Sequence, residues 1–189
     1  ENLGLVVQQP INFDIQQPIN NVETFHGTSL QTSNMDYRKL RDYLAQGEWK
    51  EADDETARVM LAVAKREKEG WLNERSIDNF PCADLSIIDK LWVKYSDGKF
   101  GFSVQKRIWY GIGGTRNEFE RYEKFVDNVG WIVGGVGKRR VYDKEKAPKG
   151  HFPSQIRYSP DNYSWIWAMK MALGLRCYSL ASRLVDCNI

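Results

Sequence analysis

Between Met35 and Asn128, apolar residues return every three or four positions, the period of helices that bury one face. The first run places Tyr37, Leu40, Tyr43 and Leu44 on one side, with Asp36 ahead of it as a capping residue and Gly47 behind it as a stop. The second extends from about Glu48 to Lys68 and carries Trp49, Ala52, Thr56, Val59, Met60 and Val63 on a single stripe, closed by Gly70. Its Asp53, Asp54 and Glu55 read as a solvated carboxylate face. "WLNERSIDNFPC" predicts a loop closed by Pro81. A third helix starts at Ala83 or Asp84, repeats apolar positions at Leu85, Ile88, Leu91, Trp92 and Tyr95, and ends at the turn "SDG". Ser103 is placed to cap a short fourth helix with Val104, Ile108 and Trp109. A fifth, Asn117 to Asn128, turns Phe119, Tyr122, Phe125 and Val126 inward before Gly130. The stretch from Asn162 to Ile189 is mostly helical in pattern, weakened in its middle by Gly174.

Two stretches lack this period. Residues 1–35 repeat "QQPIN" at 8–12 and 16–20 and hold too little apolar area to offset chain entropy, so they predict a flexible tail or linker. Residues 130–160, with "GGVGKRRVYDKEKAPKGHFPS", combine glycines, prolines and basic residues into a long irregular loop of the kind that is functional or mobile. The expected fold is therefore all-α: an open bundle of about six helices with one long irregular loop, its folded domain covering 36–189.

A chain of 189 residues is one domain, or one domain with an appendage. Apolar content is 42%, yet no run approaches the about 18 residues of a membrane span; Lys170 and Gly174 break the greasiest stretch, Trp165 to Leu175. No basic residue precedes Arg38, so no secretory signal is expected, and a start at Glu1 suggests a trimmed chain or a piece of a longer protein. Cys82, Cys177 and Cys187 are an odd set without metal spacing and read as free thiols in a reducing compartment. With two histidines and no clustered carboxylates, no metal site is expected. Residues 1–37 carry Glu1, Asp14, Glu23 and Asp36 and no Lys or Arg, which leaves about +6 on the remainder of a chain whose net charge is +2. That balance suits an anionic partner.

Candidate chemistry is sparse. No nucleophile elbow, zinc-protease helix or phosphate loop is present, His26 lies in the tail and His151 in the long loop, and Asp84 is a helix-start acid. No enzymatic activity is expected. Lys138, Arg139, Arg140, Lys144, Lys146 and Lys149, with Tyr142 beside them, have the charge for phosphates, but Asp143 and Glu145 interrupt the run, and no nucleic-acid partner is expected.

The aromatic content, 13% with seven Trp, allows either a Trp-rich core or a flat apolar cleft. "YSDGKFGFSVQKRIW" sharpens that choice, because it hangs Phe100 and Phe102 on a glycine at a turn. Phe80, Trp92, Phe100, Phe102, Val104 and Phe152 could floor a site for a broad planar acid, with Lys149, Arg157, Arg139 and Arg140 meeting its carboxylates. A tetrapyrrole, an acyl chain or a partner helix all meet that description.

Four segments in order, "LRDYLAQGEWKEADDETARVML", "NFPCADLSIIDKLWVKYSDGKFGFSVQKRIW", "VGWIV" and "APKGHFP", resemble the Genomes-Uncoupled-Four family over about residues 36–153. The resemblance implies a non-enzymatic tetrapyrrole-binding protein of oxygenic phototrophs, cyanobacterial or plastid. Its ligands would be protoporphyrin, magnesium-protoporphyrin or a bilin, with no cofactor required. Its partner would be the large porphyrin-binding subunit of magnesium chelatase, in the regulation of chlorophyll biosynthesis. Its place would be the cytoplasm, or the plastid stroma if eukaryotic. It implies a cupped hand of helices whose greasy palm has Phe100 and Phe102 beside it and Leu91 and Val104 near them. Two finger loops, 70–82 and 134–160, would hold the pigment, the second carrying Lys149, His151, Phe152, Pro153 and Arg157, with His151 positioning the loop rather than binding metal. The stretch from Ser159, ending "SLASRLVDCNI", is closer to domains of larger bacterial signalling proteins, so a tetrapyrrole-sensing or protein-interaction module is the alternative reading.

Overall fold

The computed structural model describes residues 34–114, 119–133, 136–137, 141–155 and 179–189, all of them within the compact unit Gln31–Ile189. The expected tail at 1–35 lies almost wholly outside the described residues. The described elements are α1 (Arg38–Gln46), α2 (Trp49–Val63), α3 (Glu74–Asp78), α4 (Cys82–Tyr95), α5 (Phe102–Gly111) and α6 (Phe119–Asn128), then the two-residue strands β1 (Ile132–Val133) and β2 (Val136–Gly137). A last helical stretch covers 179–186. The class is all-α, as the periodicity predicts, with one short antiparallel pair, Ile132 opposite Gly137 and Val133 opposite Val136, at the tip of the irregular region.

The boundaries show where local chemistry overrides period. The N-cap position of α1 is Tyr37 rather than Asp36; Asp36, one residue earlier, accepts the Arg38 N–H at 2.9 Å, and Gly47 closes the helix in the left-handed conformation. The second helix stops at Val63 rather than Lys68: Lys65 takes φ 55°, and the Arg66 N–H turns back to the Leu61 carbonyl at 2.8 Å. The Arg66 guanidinium then covers the Trp71 ring, 4.3 Å from its centre. The expected loop at 71–82 holds the one-turn helix α3, because the Asn73 side chain accepts the Ser76 N–H at 2.8 Å. Ser103 lies inside α5 instead of capping it, and Asp89 of α4 supplies the acceptor for its N–H at 2.8 Å.

The core forms where α1 and α2 pack on each other and α1 on α4. Leu40, Leu44, Ala52, Val59, Met60, Leu85, Ile88 and Trp92 are all fully or almost fully enclosed there. Buried indole needs a hydrogen-bond partner, and Trp92 Nε1 donates to Thr56 Oγ1 at 2.9 Å. That hydroxyl in turn donates to the Ala52 carbonyl one turn back, at 2.8 Å. The carboxylate face expected on α2 is wet only at Asp54; Asp53 and Glu55 are buried. Burial pushes the Glu55 carboxyl up, but Arg58 at 2.6 Å and Lys39 at 3.4 Å outweigh it and hold the group below its ordinary range.

A second cluster gathers Trp109, Tyr122, Phe125, Val126 and Val129 with Ala181 of the terminal stretch, while Leu180 and Leu184 enter the first. This docking brings Cys187 to the start of α4, where it forms a disulfide with Cys82 across 105 residues of sequence. The reading of these two cysteines as free thiols is thus corrected. Spacing along the chain carries no information about a pairing made by tertiary packing. Cys177 lies outside the described residues.

Two outcomes test this packing. Thr56→Val leaves the Trp92 indole N–H buried without an acceptor and should cost about 1–3 kcal/mol in denaturant unfolding. The Glu55 contribution is complete above its unfolded value and is lost as pH falls through its lowered native value. The stability gap between the parent chain and Glu55→Gln should therefore narrow between pH 7 and pH 3.

Candidate functional site

The segment "SDGKFGF" and the segment "APKGHFP" form one unit. Gly101 stands at φ 129°, a conformation that favours glycine. A Cβ there would lie 2.9 Å from both Asp89 Oδ1 and Val93 Cγ2. The turn therefore presses against α4, and the two phenylalanines that flank it point into the core. Phe100 and Phe102 are both completely enclosed. Phe100 meets Phe152 edge-on at 5.0 Å and Trp49 at 5.6 Å. Phe152 stacks on Trp92 at 5.7 Å and on Tyr142 at 5.5 Å. Such ring pairs add about 0.5–1.5 kcal/mol each beyond their buried area.

Residues 147–155 strap this cluster down. The Gly101 N–H donates to the Phe152 carbonyl at 3.0 Å, and the Gly150 N–H to the Lys99 carbonyl at 2.9 Å. Gln105, buried on α5, donates from Nε2 to the carbonyls of Gly150 at 3.0 Å and Pro153 at 2.9 Å. Gly150 itself lies so close to α5 that a Cβ would stand 2.6 Å from Ile108 Cδ1. At the far end Asp53, enclosed in α2, accepts three donors: Ser154 N–H at 2.6 Å, Ser154 hydroxyl at 2.6 Å and Gln155 N–H at 3.0 Å. A carboxylate that takes charge-assisted bonds from a turn fixes it far more firmly than neutral contacts do. Irregular backbone this deeply packed needs each polar group matched. The segment expected to be functional or mobile is, over 141–155, a fastened strap.

His151 is enclosed at the centre of the strap. Its Nδ1 lies 2.6 Å from the Val129 carbonyl, and its Nε2 accepts the Val141 N–H at 3.3 Å. This pairing assigns a neutral ring with its proton on Nδ1. The His151 carbonyl accepts the Trp131 indole N–H at 2.7 Å. Both ring nitrogens are committed to backbone, so the residue joins 129–131, 141 and 151 and presents no nitrogen to a metal.

The structure places the other expected residues as follows. Phe80, Trp92, Val104 and Pro153 are buried, and Leu91 packs half-buried against the same cluster. Lys149 is exposed on the strap. Arg139, Arg140 and Arg157 lie outside the described residues. The rings expected to face a ligand therefore face each other, because the strap consumes their surface. Among the described residues of the basic run, Lys144 and Lys146 are paired within the fold. Lys99 donates to the carbonyls of Lys144 and Glu145, Lys144 pairs with Asp97, and Lys146 pairs with Asp143 at 2.9 Å. Two residues that period alone could have marked are Asp53, on the stripe of Trp49, Ala52 and Thr56, and Gln105, one turn from Trp109. Among the described residues, the Trp109 indole N–H is the one buried side-chain donor without a partner. Asp89, which holds the start of α5, is pushed up by burial against the pull of Ser103.

Asp53→Ala should release the far end of the strap. The expected result is a loss of about 2 kcal/mol, with faster amide exchange at Ser154 and Gln155 while the α1–α2 packing keeps its protection. Asp53→Asn, which keeps one acceptor, should lose less.

The chain matches the family described as GUN4-like over residues 30–166. It is 35% identical over 130 residues to a protein of Porphyra purpurea named uncharacterized protein ycf53, which covers 65% of this chain and 52% of that one. It is 30% identical over 128 residues to the tetrapyrrole-binding protein, chloroplastic, of Arabidopsis thaliana, covering 67% of this chain and 42% of that one. The chain thus spans about half the length of the curated relatives it matches. Its fold is similar to the structure of GUN4 from Chlamydomonas reinhardtii, with a TM-score of 0.57 and 30% identity, covering 76% of this chain and 90% of that one. It is also similar in fold to the ligand-free structure of Arabidopsis thaliana GUN4, with a TM-score of 0.58 and 23% identity, covering 77% and 94%. Because the match runs over residues 30–166, well over half of the chain, this chain belongs to the GUN4-like family.

Proposed function

We propose that this chain is a non-enzymatic tetrapyrrole-binding domain, taking protoporphyrin, magnesium-protoporphyrin or a bilin. The observation that carries this reading is its family membership, together with its 30% identity to a relative named for tetrapyrrole binding. The geometry refines it. The enclosed rings of Trp92, Phe100, Phe102 and Phe152 serve as a stiff backing, and a macrocycle rests on the less buried groups that flank them, Leu91 and Tyr142 among these. Preorganisation of this kind lowers the ordering cost of binding. Apolar contact supplies the driving force at about 25 cal/mol per Å² of area removed from water. Lys149, together with Arg139, Arg140 and Arg157, meets the propionates, arginine doing so through two parallel hydrogen bonds. His151 holds the strap and leaves any metal in the macrocycle to another ligand.

The same reading extends to a partner and a place. The folded domain, 36–189, would present the pigment to the large porphyrin-binding subunit of magnesium chelatase and so regulate chlorophyll synthesis, in the cytoplasm or the plastid stroma. Among the described residues no helix is long and apolar enough to cross a membrane.

Titration with protoporphyrin should quench the tryptophan fluorescence and shift the pigment's main absorption band; an unchanged spectrum at saturating pigment overturns the reading. Lys149→Ala combined with Arg157→Ala should weaken protoporphyrin more than its dimethyl ester, and equal losses would remove the propionate role. Addition of the chain to purified chelatase should raise the rate of magnesium insertion. An unchanged rate would remove the chelatase role while leaving pigment binding intact.

A further inference from the structure

The disulfide is the feature of this molecule that pigment binding does not use. Cys82 is the first residue of α4, directly after Phe80 and Pro81. Cys187 lies two residues from the end of the chain, between the exposed Asp186 and Asn188, and is itself half-buried. The bond is one of several ties between the terminal stretch and the 74–82 region. Arg183 Nε donates to the Phe80 carbonyl at 2.9 Å, and the Ser179 hydroxyl donates to Glu74 at 3.4 Å. Leu180 and Leu184 fill the core beside Phe80 and Ile77, while Lys106 reaches the Ile189 carbonyl.

Two features separate this bond from a staple that the domain needs in order to fold. The core of α1, α2 and α4 is extensive, unlike the cores of small disulfide-dependent domains. The bond also joins the half-buried Cys187, between the exposed Asp186 and Asn188, to a helix start, so its loss removes one tie of the 179–189 stretch and none within the helices.

We propose that Cys82–Cys187 is a thiol–disulfide exchange site for a dithiol reductant, and that its redox state sets how firmly the terminal stretch holds the 74–82 region. A thiolate of the reductant attacks Sγ of Cys187, whose neighbours in sequence, Asp186 and Asn188, are both exposed. The sulfur–sulfur bond breaks and the electron pair leaves on Sγ of Cys82. The second thiol of the reductant then attacks the mixed disulfide and releases Cys187. Two electrons and two protons pass to the protein, giving two thiols, and the reductant becomes a disulfide. In the reduced chain Arg183, Ser179 and the two leucines hold the terminal stretch alone, and it opens more often. Because 74–82 lies within the first of the two expected finger loops, 70–82, the exchange also bears on that wall of the proposed pigment site, but the proposal stands without any pigment.

The test uses the whole chain, purified without reductant and then treated with dithiothreitol or with a thioredoxin-type dithiol. Alkylation and peptide mass should show the 82–187 link before treatment and two alkylated thiols after it, under conditions where the helices stay folded. A monothiol such as glutathione should be trapped on Cys187 rather than on Cys82. Amides in 179–189 should exchange at least about tenfold faster after reduction, while those of α1 and α2 keep their rates. The thermal midpoint should fall by about 5 °C. Cys187→Ser should show the fast exchange with or without reductant. Should that variant not fold, the parent chain in its two redox states decides the matter. A bond that resists reduction until the helices unfold overturns the proposal. So does identical exchange of 179–189 in both states, or trapping on Cys82. None of these outcomes depends on protoporphyrin titration, so the two proposals fail separately.

Discussion

The contact on which the rest of the structure depends is the seating of Phe152. Its ring lies between Trp92, Phe100 and Tyr142, and its carbonyl accepts the Gly101 N–H. One residue thus supplies apolar area to a core made by α2 and α4 and closes the backbone of the α4–α5 turn. An irregular segment can be buried only if its polar groups are satisfied. Here Gln105, Lys99, Asp53 and the backbone of Gly101 do this work together. The strap and the helices therefore stabilise each other, and weakening either should loosen the other.

This arrangement separates stiffness from contact. Aromatic rings that face one another at T-shaped and stacked angles resist deformation, because each is fixed by several neighbours. They form a foundation, and the surface above it is left to groups such as Leu91, Tyr142 and Lys149. The internal pairing of the basic run has a related consequence. Lys99 and Lys144 each tie the 141–155 segment to the α4–α5 turn, Lys99 through the Lys144 and Glu145 carbonyls and Lys144 through Asp97.

The terminal stretch adds a second layer of closure. Leu180 and Leu184 in one cluster and Ala181 in the other tie both halves of the core to the chain's last helical turns. The disulfide fixes that tie at the start of α4. The fold is thus locked at two places, once by the strap over the α4–α5 turn and once by the chain end.

Much of this was legible from residue order. Period placed Leu40, Leu44, Val59, Leu85, Ile88 and Trp92 inward, because one buried face is enough to reveal a helix. Four ordered segments gave the family, since their unusual residues are local. Other features were not legible. The "FGF" turn could be read as a ligand floor or a core plug, and only the packing of Phe152 against it decided for enclosure. Asp53 and Glu55 looked wet within a carboxylate run; period could mark Asp53 as inward, but its donors lie about a hundred residues away, and Glu55 is met by Lys39 across a helix interface. The cysteine pairing required the terminal stretch to dock. A sequence sets which residues can share a face and which turns are allowed, for these follow from the geometry of neighbouring residues. Which buried charge meets which donor, and which sulfur meets which, is settled only when distant segments close upon each other and exclude water.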